Sequence, residues 1–521
     1  MNRQNITYLF LLILLAIYNF FFWREKLGIN LLIFLFLSSF AVLILNEENL
    51  KSRNVIVSLL AFLYASAMVL VINSDFSKFA SMTVFAVFVG FAHQKELKTV
   101  FNAFFTTASS VIIFPYNIIE ELKQSSGKYK PVRVILRFTK LALIPVIFFT
   151  VFYSIYAYSN PVFNSYSVTF WDTIGEYVYE VFKDYPPLRF MFLFLGLILI
   201  MGMLYNRNIK IFAVIDKNFL DTLSRDKIFK TYGVLNPSVK KNLLYDLFGY
   251  KHKMNTLKFE YKMGVTFIVM INLLLLILNI IDFQFTWLGF DSKMVDNLAF
   301  YVHNGTYLLI FSILLSMAIL LYFFRGNQNF YNGRMLLKLD AYLWIIQNAF
   351  MALSVGLRNL YYIDYYYALS YKRIGVMVYL LLTLIGLTTM FIKIYSKRTV
   401  YHLLKVNSTA ALIVLLLISS FSWDKLIAEF NLSYPDKDSI DVEYLLRLSD
   451  DTLPVLDKHQ NVLDKQYYNK GFFFGDHENG LKMYHRKVES YLYQQKNYSW
   501  LSWNLADYNT LKYYNYEEER K

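Results

Sequence analysis

Asp340, Trp344, Gln347, Met351, Ser354 and Arg358 follow one another at intervals of 4, 3, 4, 3 and 4, the spacing of one stripe on a helix. A carboxylate and a guanidinium mark its two ends, about 27 Å apart at 1.5 Å per residue. The amide of Gln347 lies between them, with Asn348 beside it. A second stripe carries Asn272, Asn279 and Asp282 at i, i+7 and i+10, with Glu260 at its entry. Arg373 opens the apolar run that follows the first stripe, and His303 precedes the run between the two stripes. Three kinds of chemistry are open to such residues. The amides can hold helices together by hydrogen bonds, with the end charges anchored at the interface. Alternatively, the stripes enclose a polar cavity in which Arg358 and Arg373 bind an anionic lipid or small anion, with Asp282 as counter-ion. Arginine suits that task because its planar fork donates in pairs. The third kind is acid/base work on a lipid-linked substrate by Asp282 and His303, which only loop proximity brings together. A non-enzymatic protein is the expectation.

The elements that must position these residues are apolar. The 521 residues are 56% hydrophobic, with mean hydropathy +0.37, and the apolar residues gather into repeated runs of about 17–20. Backbone groups in hydrocarbon must pair internally, so runs this long are helices. Strands of a membrane barrel would be shorter and would alternate apolar with polar. An all-α, polytopic membrane protein is therefore predicted. Eleven spans are expected, at Tyr8–Trp23, Ile29–Leu45, Val55–Ile72, Phe79–Gln94, Leu141–Tyr158, Leu188–Tyr205, Gly264–Ile281, Gly305–Phe323, Ala341–Leu357, Ile374–Ile394 and Thr409–Trp423. Residues 101–119 would make a twelfth. Pro115 and the hydroxyls from Thr106 to Ser110 favour an interfacial or re-entrant piece there instead. A charge at the bilayer centre costs about 2.5–3.5 kcal/mol, so the polar members of the two stripes are expected to face protein or water.

Charge sets the orientation. The loops at 95–140, 206–262, 325–340 and 393–407 are basic, whereas 159–187 and 282–304 are acidic. The positive-inside rule then puts the basic loops and the N-terminus in the cytoplasm. Arg24 and Lys26, in a turn assigned to the outside, break the pattern. The tail from Asp424 holds 13 Lys+Arg against 17 Asp+Glu, and the remainder 39 against 21. A basic chain can indicate nucleic acid, but here the positive charge sits between spans, and no nucleic-acid partner is expected. The chain has no cysteine, so thiolate metal sites and disulfides are excluded. The histidines show no ligand spacing, no phosphate-binding glycine loop occurs, and no cofactor is expected.

Three regions follow: an N-terminal membrane bundle at 1–140, a membrane core at 141–423 containing the 206–262 cytoplasmic loop, and an extracytoplasmic tail at 424–521. Within the loop, helices are expected at Asp216–Leu223 and Pro237–Leu247. At 168–182, Phe170, Ile174, Tyr177 and Val181 share a face, as in a helix lying on the outer surface. The tail reads as short helices around a turn at Ser449–Asp451 and offers a surface for an envelope partner. The phrases YSNPVF (158–163), INLLLLILNIIDFQFTW (271–287), LDAYLWIIQNAFMALSVGLRNLYYI (339–363), YALSYKRIGV (367–376) and IDVEYLLRLSDDTLPVL (440–456) resemble a family of uncharacterised bacterial membrane proteins. The family is catalogued as domain of unknown function 4173, with 4153 as a related group. The resemblance runs from about Leu141 to Leu456, is sharpest at Tyr367–Arg373, and owes little to the first four spans. It implies a bacterial inner membrane and no particular activity. Transport or lipid handling is the leading expectation, and a sensor or scaffold the alternative.

Overall fold

The computed structural model describes residues 3–125, 145, 148–150, 152–154, 156–181, 187–205, 210–224, 254–288, 298–331, 333–434, 440–464, 467–469 and 477–520. Among these the chain is helical, apart from one antiparallel ribbon of β1 (Tyr467–Asn469) and β2 (His477–Asn479). Six helices are long and apolar enough to cross a membrane, and four shorter apolar helices accompany them.

One set of helices comprises α1 (Arg3–Phe22), α2 (Ile29–Leu45), α3 (Arg53–Val71), α4 (Asp75–His93), α5 (Val100–Ser125), α6 (Pro161–Val181) and α7 (Pro187–Leu204). Apart from α6, these pack around a core that includes Leu14, Val42, Phe88, Ala103 and Ile200. Small side chains bring α4 and α5 close together: a Cβ on Gly90 would collide with the carbonyl oxygen of Ala103. In a membrane this close approach replaces the missing hydrophobic drive between helices.

After α8 (Ile211–Asn218), a second set follows: α9 (Met254–Asp282), α10 (Leu298–Phe323), α11 (Met335–Tyr366) and α12 (Tyr371–Ser396). Its core holds Ile268, Ile313, Trp344, Val355 and Met390. Helix α13 (Val400–Ile418) packs against α12 on one side and against α4 and α5 on the other, so it joins the two sets.

Several elements differ from expectation. Residues 101–119 lie within α5, an unbroken helix. The hydroxyls that suggested an interface are buried between helices: Thr107 Oγ1 donates to Ala86 O at 2.7 Å and Ser110 Oγ to Gly202 O at 2.6 Å. The final apolar segment, expected at Thr409–Trp423, begins nine residues earlier, where Thr399 caps α13 by accepting from His402 N. The loop helix expected at Asp216–Leu223 is shifted to Ile211–Asn218, and the chain then extends. Pro237–Leu247 lies outside the described residues, and so do residues 141–144, 146, 147, 151 and 155 of the segment expected at Leu141–Tyr158. The surface helix expected at 168–182 starts earlier, at Pro161, and pairs with the preceding helical residues through Trp171 Nε1, which donates to Tyr153 Oη at 2.6 Å.

The tail is α14 (Trp423–Leu432), α15 (Val442–Arg447), α16 (Leu453–Asp457), α17 (Gln460–Asp464), the ribbon, α18 (Gly480–Asn497) and α19 (Leu505–Arg520). It has its own core, including Ile427, Leu445, Leu456 and Tyr484, and grips the ends of both helix sets. Lys26 Nζ lies 2.7 Å from Asp507 and 3.9 Å from Asp450. Ile29 N donates to Trp503 O at 2.9 Å, and Gly28 sits so close to Ser502 and Trp503 that no side chain fits there. On the other set, Asn431 and Leu369 exchange two hydrogen bonds, and Tyr371 donates to Asp424 at 2.5 Å. Lys26 of the basic turn, anomalous by charge alone, is therefore met by carboxylates of the tail. The family-like phrase Tyr367–Arg373 is part of the tail's seat.

Asp451, within this seat, accepts from Ser422 at 2.6 Å and also from Ser449. Burial holds its carboxyl above the usual range, and Asp424 and Asp507 add repulsion. A raised carboxyl binds its proton more tightly when folded. Its contribution is therefore most favourable at acid pH, and stability falls as pH rises from about 3.9 through the raised value. Asp451→Asn is expected to flatten that dependence and to raise the tail's resistance to proteolysis at pH 7. Limited proteolysis across pH 4–8 checks it, and an unchanged slope would show that other groups govern the seat.

Candidate functional site

Helices α9 and α11 run parallel, in register. Asn272 Nδ2 donates to Asp340 O at 2.9 Å and Asn279 Nδ2 to Gln347 O at 3.2 Å, both across 68 positions. Gln347 Nε2 returns a bond to Asn272 Oδ1 at 3.3 Å. The repeat is seven residues on each helix, the interval that keeps one seam facing a parallel partner. Leu257, Glu260, Gly264, Ile268, Asn272, Leu275, Asn279, Asp282 and Thr286 form the inner face of α9 and its extension. Met270, Leu273, Leu274, Ile277, Ile280 and Ile281 face outward. The polar residues of this apolar stretch turn inward because hydrocarbon offers them no hydrogen-bond partner.

At the end nearer the tail the seam closes on an ion pair between the buried Asp282 and Arg358, whose side chain is 11% exposed. Asp282 ends the regular helix, and Phe283–Leu288 continues as a π-helical turn, a distortion frequent at functional sites. The turn sets Thr286 Oγ1 2.9 Å from Asp282 Oδ1 and aims Trp287 Nε1 at Ser354 Oγ, also 2.9 Å away. Tyr361 donates to the carbonyl of Thr286 at 3.1 Å. At the opposite end Glu260 pairs with Arg325 at 3.3 Å, and the Arg325 guanidinium covers the ring of Tyr322. Each end of the seam thus carries one carboxylate–arginine pair.

Arg373 is buried as well. It donates to Asn359 Oδ1 at 3.3 Å and stacks on Tyr362, 3.4 Å from the ring centroid, while Asn359 Nδ2 returns a bond to the Arg373 carbonyl. The two arginines are therefore held by separate partners, Arg358 by α9 and Arg373 by its own α11 neighbours. Asn348 turns back onto its own helix, donating to Trp344 O at 2.8 Å. The side chain of His303 lies outside the described residues, and so does its pairing with Asp282. Four acceptor oxygens along the seam, Asn279 Oδ1, Gln347 Oε1, Asn348 Oδ1 and Asp340 Oδ2, are buried and receive no hydrogen bond among the described residues.

Sequence reasoning passed over Asp216, which is fully buried. Reaching across from α8, its carboxylate accepts from Lys98 N at 2.6 Å, Thr99 N at 3.1 Å and Asn102 Nδ2. It thus caps the start of α5, where unpaired N–H groups and the helix dipole favour an anion. The strand-like residues after it pair with the α12–α13 turn: Leu223 N donates to Lys397 O at 2.9 Å and Thr399 N to Asp221 O at 3.1 Å. Thr286 was legible, four residues after Asp282 on the same face. Asp216 gave no such signal, since an acidic residue in a loop helix reads as solvated.

A family model described as "Domain of unknown function (DUF4153)" matches residues 9–459. The match takes in α1–α4, which the sequence resemblance had left largely aside, and it is to 4153 rather than 4173. No curated protein and no solved structure matches the chain.

Proposed function

The chain belongs to the family described as a domain of unknown function, DUF4153, and from that premise we propose a transport or lipid-handling role for this integral membrane protein, with the α9–α11 seam as its working element. One observation carries the reading: buried acceptor oxygens on Asn279, Gln347, Asn348 and Asp340 receive no hydrogen bond among the described residues, and the indole N–H of Trp344 on the same stripe finds no acceptor among them. An unmet buried polar group costs about 1–3 kcal/mol, and a helix pair holding four such acceptors and one such donor suits a guest that brings both donors and an acceptor. The guest proposed is a small polar or zwitterionic species, such as an aminophosphate headgroup. Its donors would meet the amide oxygens, and its anionic group would exchange with Asp282 on Arg358.

We place the protein in a bacterial inner membrane, as the family resemblance implies, with the N-terminus cytoplasmic and the tail outside. Supporting the orientation, the basic turns at Lys95–Lys98, Arg325–Arg334 and Lys397–Lys405 gather at the end away from the tail. That end also holds the start of α5, whereas α7 begins beside the tail, where Arg189 Nε donates to Asn19 at 3.3 Å. An odd number of crossings must separate the two, and α5 is proposed as one of them.

The chain has no cysteine, so the seam can be probed with single cysteines. Gln347→Cys and Asn279→Cys are expected to react with a membrane-impermeant thiosulfonate in proteoliposomes, while Ile280→Cys and Ile346→Cys stay inert. If the seam positions are as unreactive as the lipid-facing ones, the amides only hold the helices together and the transport reading fails.

A further inference from the structure

Away from the tail, at the end of the second helix set, three cations meet with no carboxylate within 4 Å among the described residues. Arg334 precedes the first residue of α11, Lys338 lies one turn on, and Lys397 follows the end of α12. Arg334 and Lys397 both repel Lys338 electrostatically. The positive end of the α11 dipole adds to the same field, and its first turn contains no acidic residue. Like charges gathered at a helix N-terminus oppose the usual preference for anions there.

Aromatic rings hold the cluster in place. Lys338 Nζ lies 5.7 Å from the ring centroid of Tyr342 and 5.8 Å from that of Tyr395, and Lys397 Nζ lies 4.9 Å from that of Phe330. Lys397 adopts a left-handed conformation, with φ at 51°, which is costly for a residue with a Cβ. Cations fixed over aromatic faces at the end of membrane helices match the pattern of a basic pocket for lipid headgroups.

We propose that Arg334, Lys338 and Lys397 form a binding site for a phosphate-bearing anion at the membrane surface opposite the tail, separate from the α9–α11 seam. The chemistry required is a phosphate group whose oxygens contact three cations at once, and either an anionic phospholipid headgroup or free phosphate supplies it. Arginine presents a planar fork to the phosphate, and the lysines contribute point charges.

The test is native mass spectrometry of the full chain released from detergent with phosphatidylglycerol or phosphatidylcholine added, with and without millimolar inorganic phosphate. Phosphatidylglycerol should be retained in preference to phosphatidylcholine, and Arg334→Gln/Lys338→Gln/Lys397→Gln should weaken that retention at least about tenfold. Retention that phosphate does not displace assigns a lipid headgroup. Phosphate adducts that compete with the lipid, and vanish in the triple variant, assign free phosphate. Equal retention of both lipids, or equal retention by wild type and triple variant with no phosphate adduct, overturns the site. Melting temperature verifies folding, and Lys338→Gln alone replaces the triple variant if that fails to fold. Because seam variants leave this cluster intact, failure here and failure of the seam reading are distinguishable.

Discussion

Asp216→Ala is expected to lower the unfolding free energy of the detergent-purified protein by about 3–5 kcal/mol. The carboxylate is fully buried and takes bonds from two backbone amides at the start of α5 and from the side chain of Asn102. Removing it leaves those donors buried without an acceptor, and each such group costs about 1–3 kcal/mol. It also loosens the stitch between the first helix set and the α12–α13 turn, because Asp221 and Leu223 follow directly on the same segment. Asp216→Asn keeps one acceptor oxygen and loses the charge that the helix dipole favours, so it should recover part of the loss. Thermal unfolding of the three proteins in one detergent measures both. A melting temperature unchanged by alanine would mean that water satisfies the start of α5 equally well.

The second large effect concerns the pair at the end of the seam. Arg358→Met alone leaves the buried Asp282 carboxylate without its counter-charge, and Asp282→Leu alone removes the carboxylate that Arg358 pairs with. Breaking a buried pair from one side costs about 3–5 kcal/mol, and hydrocarbon around the helices increases the penalty for a lone charge. The double variant removes both charges and is expected to recover most of the stability. Under the proposed role it also removes the anion contact, so a restored fold should come with lost reactivity of a cysteine at Gln347 or with lost lipid retention at the seam. Equal damage in the two single variants and the double variant would mean that side-chain packing at Thr286 and Trp287, rather than the pairing of charge, holds this end together.

The inward stripe was legible because helical period and the intolerance of hydrocarbon for amides leave one solution. Asn272, Asn279 and Asp282 on one helix, and Gln347, Ser354 and Arg358 on the other, could be read as facing protein before any partner was known. Which residue meets which was not legible, because spacing describes one helix at a time. Arg373 lies on the period of its own helix, yet its partners, Asn359 and Tyr362, are fixed by the fold of the α11–α12 turn. The neutralisation of Lys26 by Asp507 joins positions 481 apart, and no local pattern foreshadows it. The partners of the hydroxyl run in α5 were not legible for a related reason. Thr107 and Ser110 look interfacial in isolation, but they satisfy themselves on carbonyls of neighbouring helices that only close packing brings within reach.

The parallel register of α9 and α11 is most directly tested by paired cysteines in this cysteine-free chain. Asn279→Cys/Gln347→Cys should be joined by a short thiol cross-linker in native membranes, and Ile280→Cys/Ile346→Cys, on the lipid-facing surfaces, should not. Efficient joining of the lipid-facing pair with none at 279 and 347 would mean that the amides point into the bilayer, and the seam would not exist.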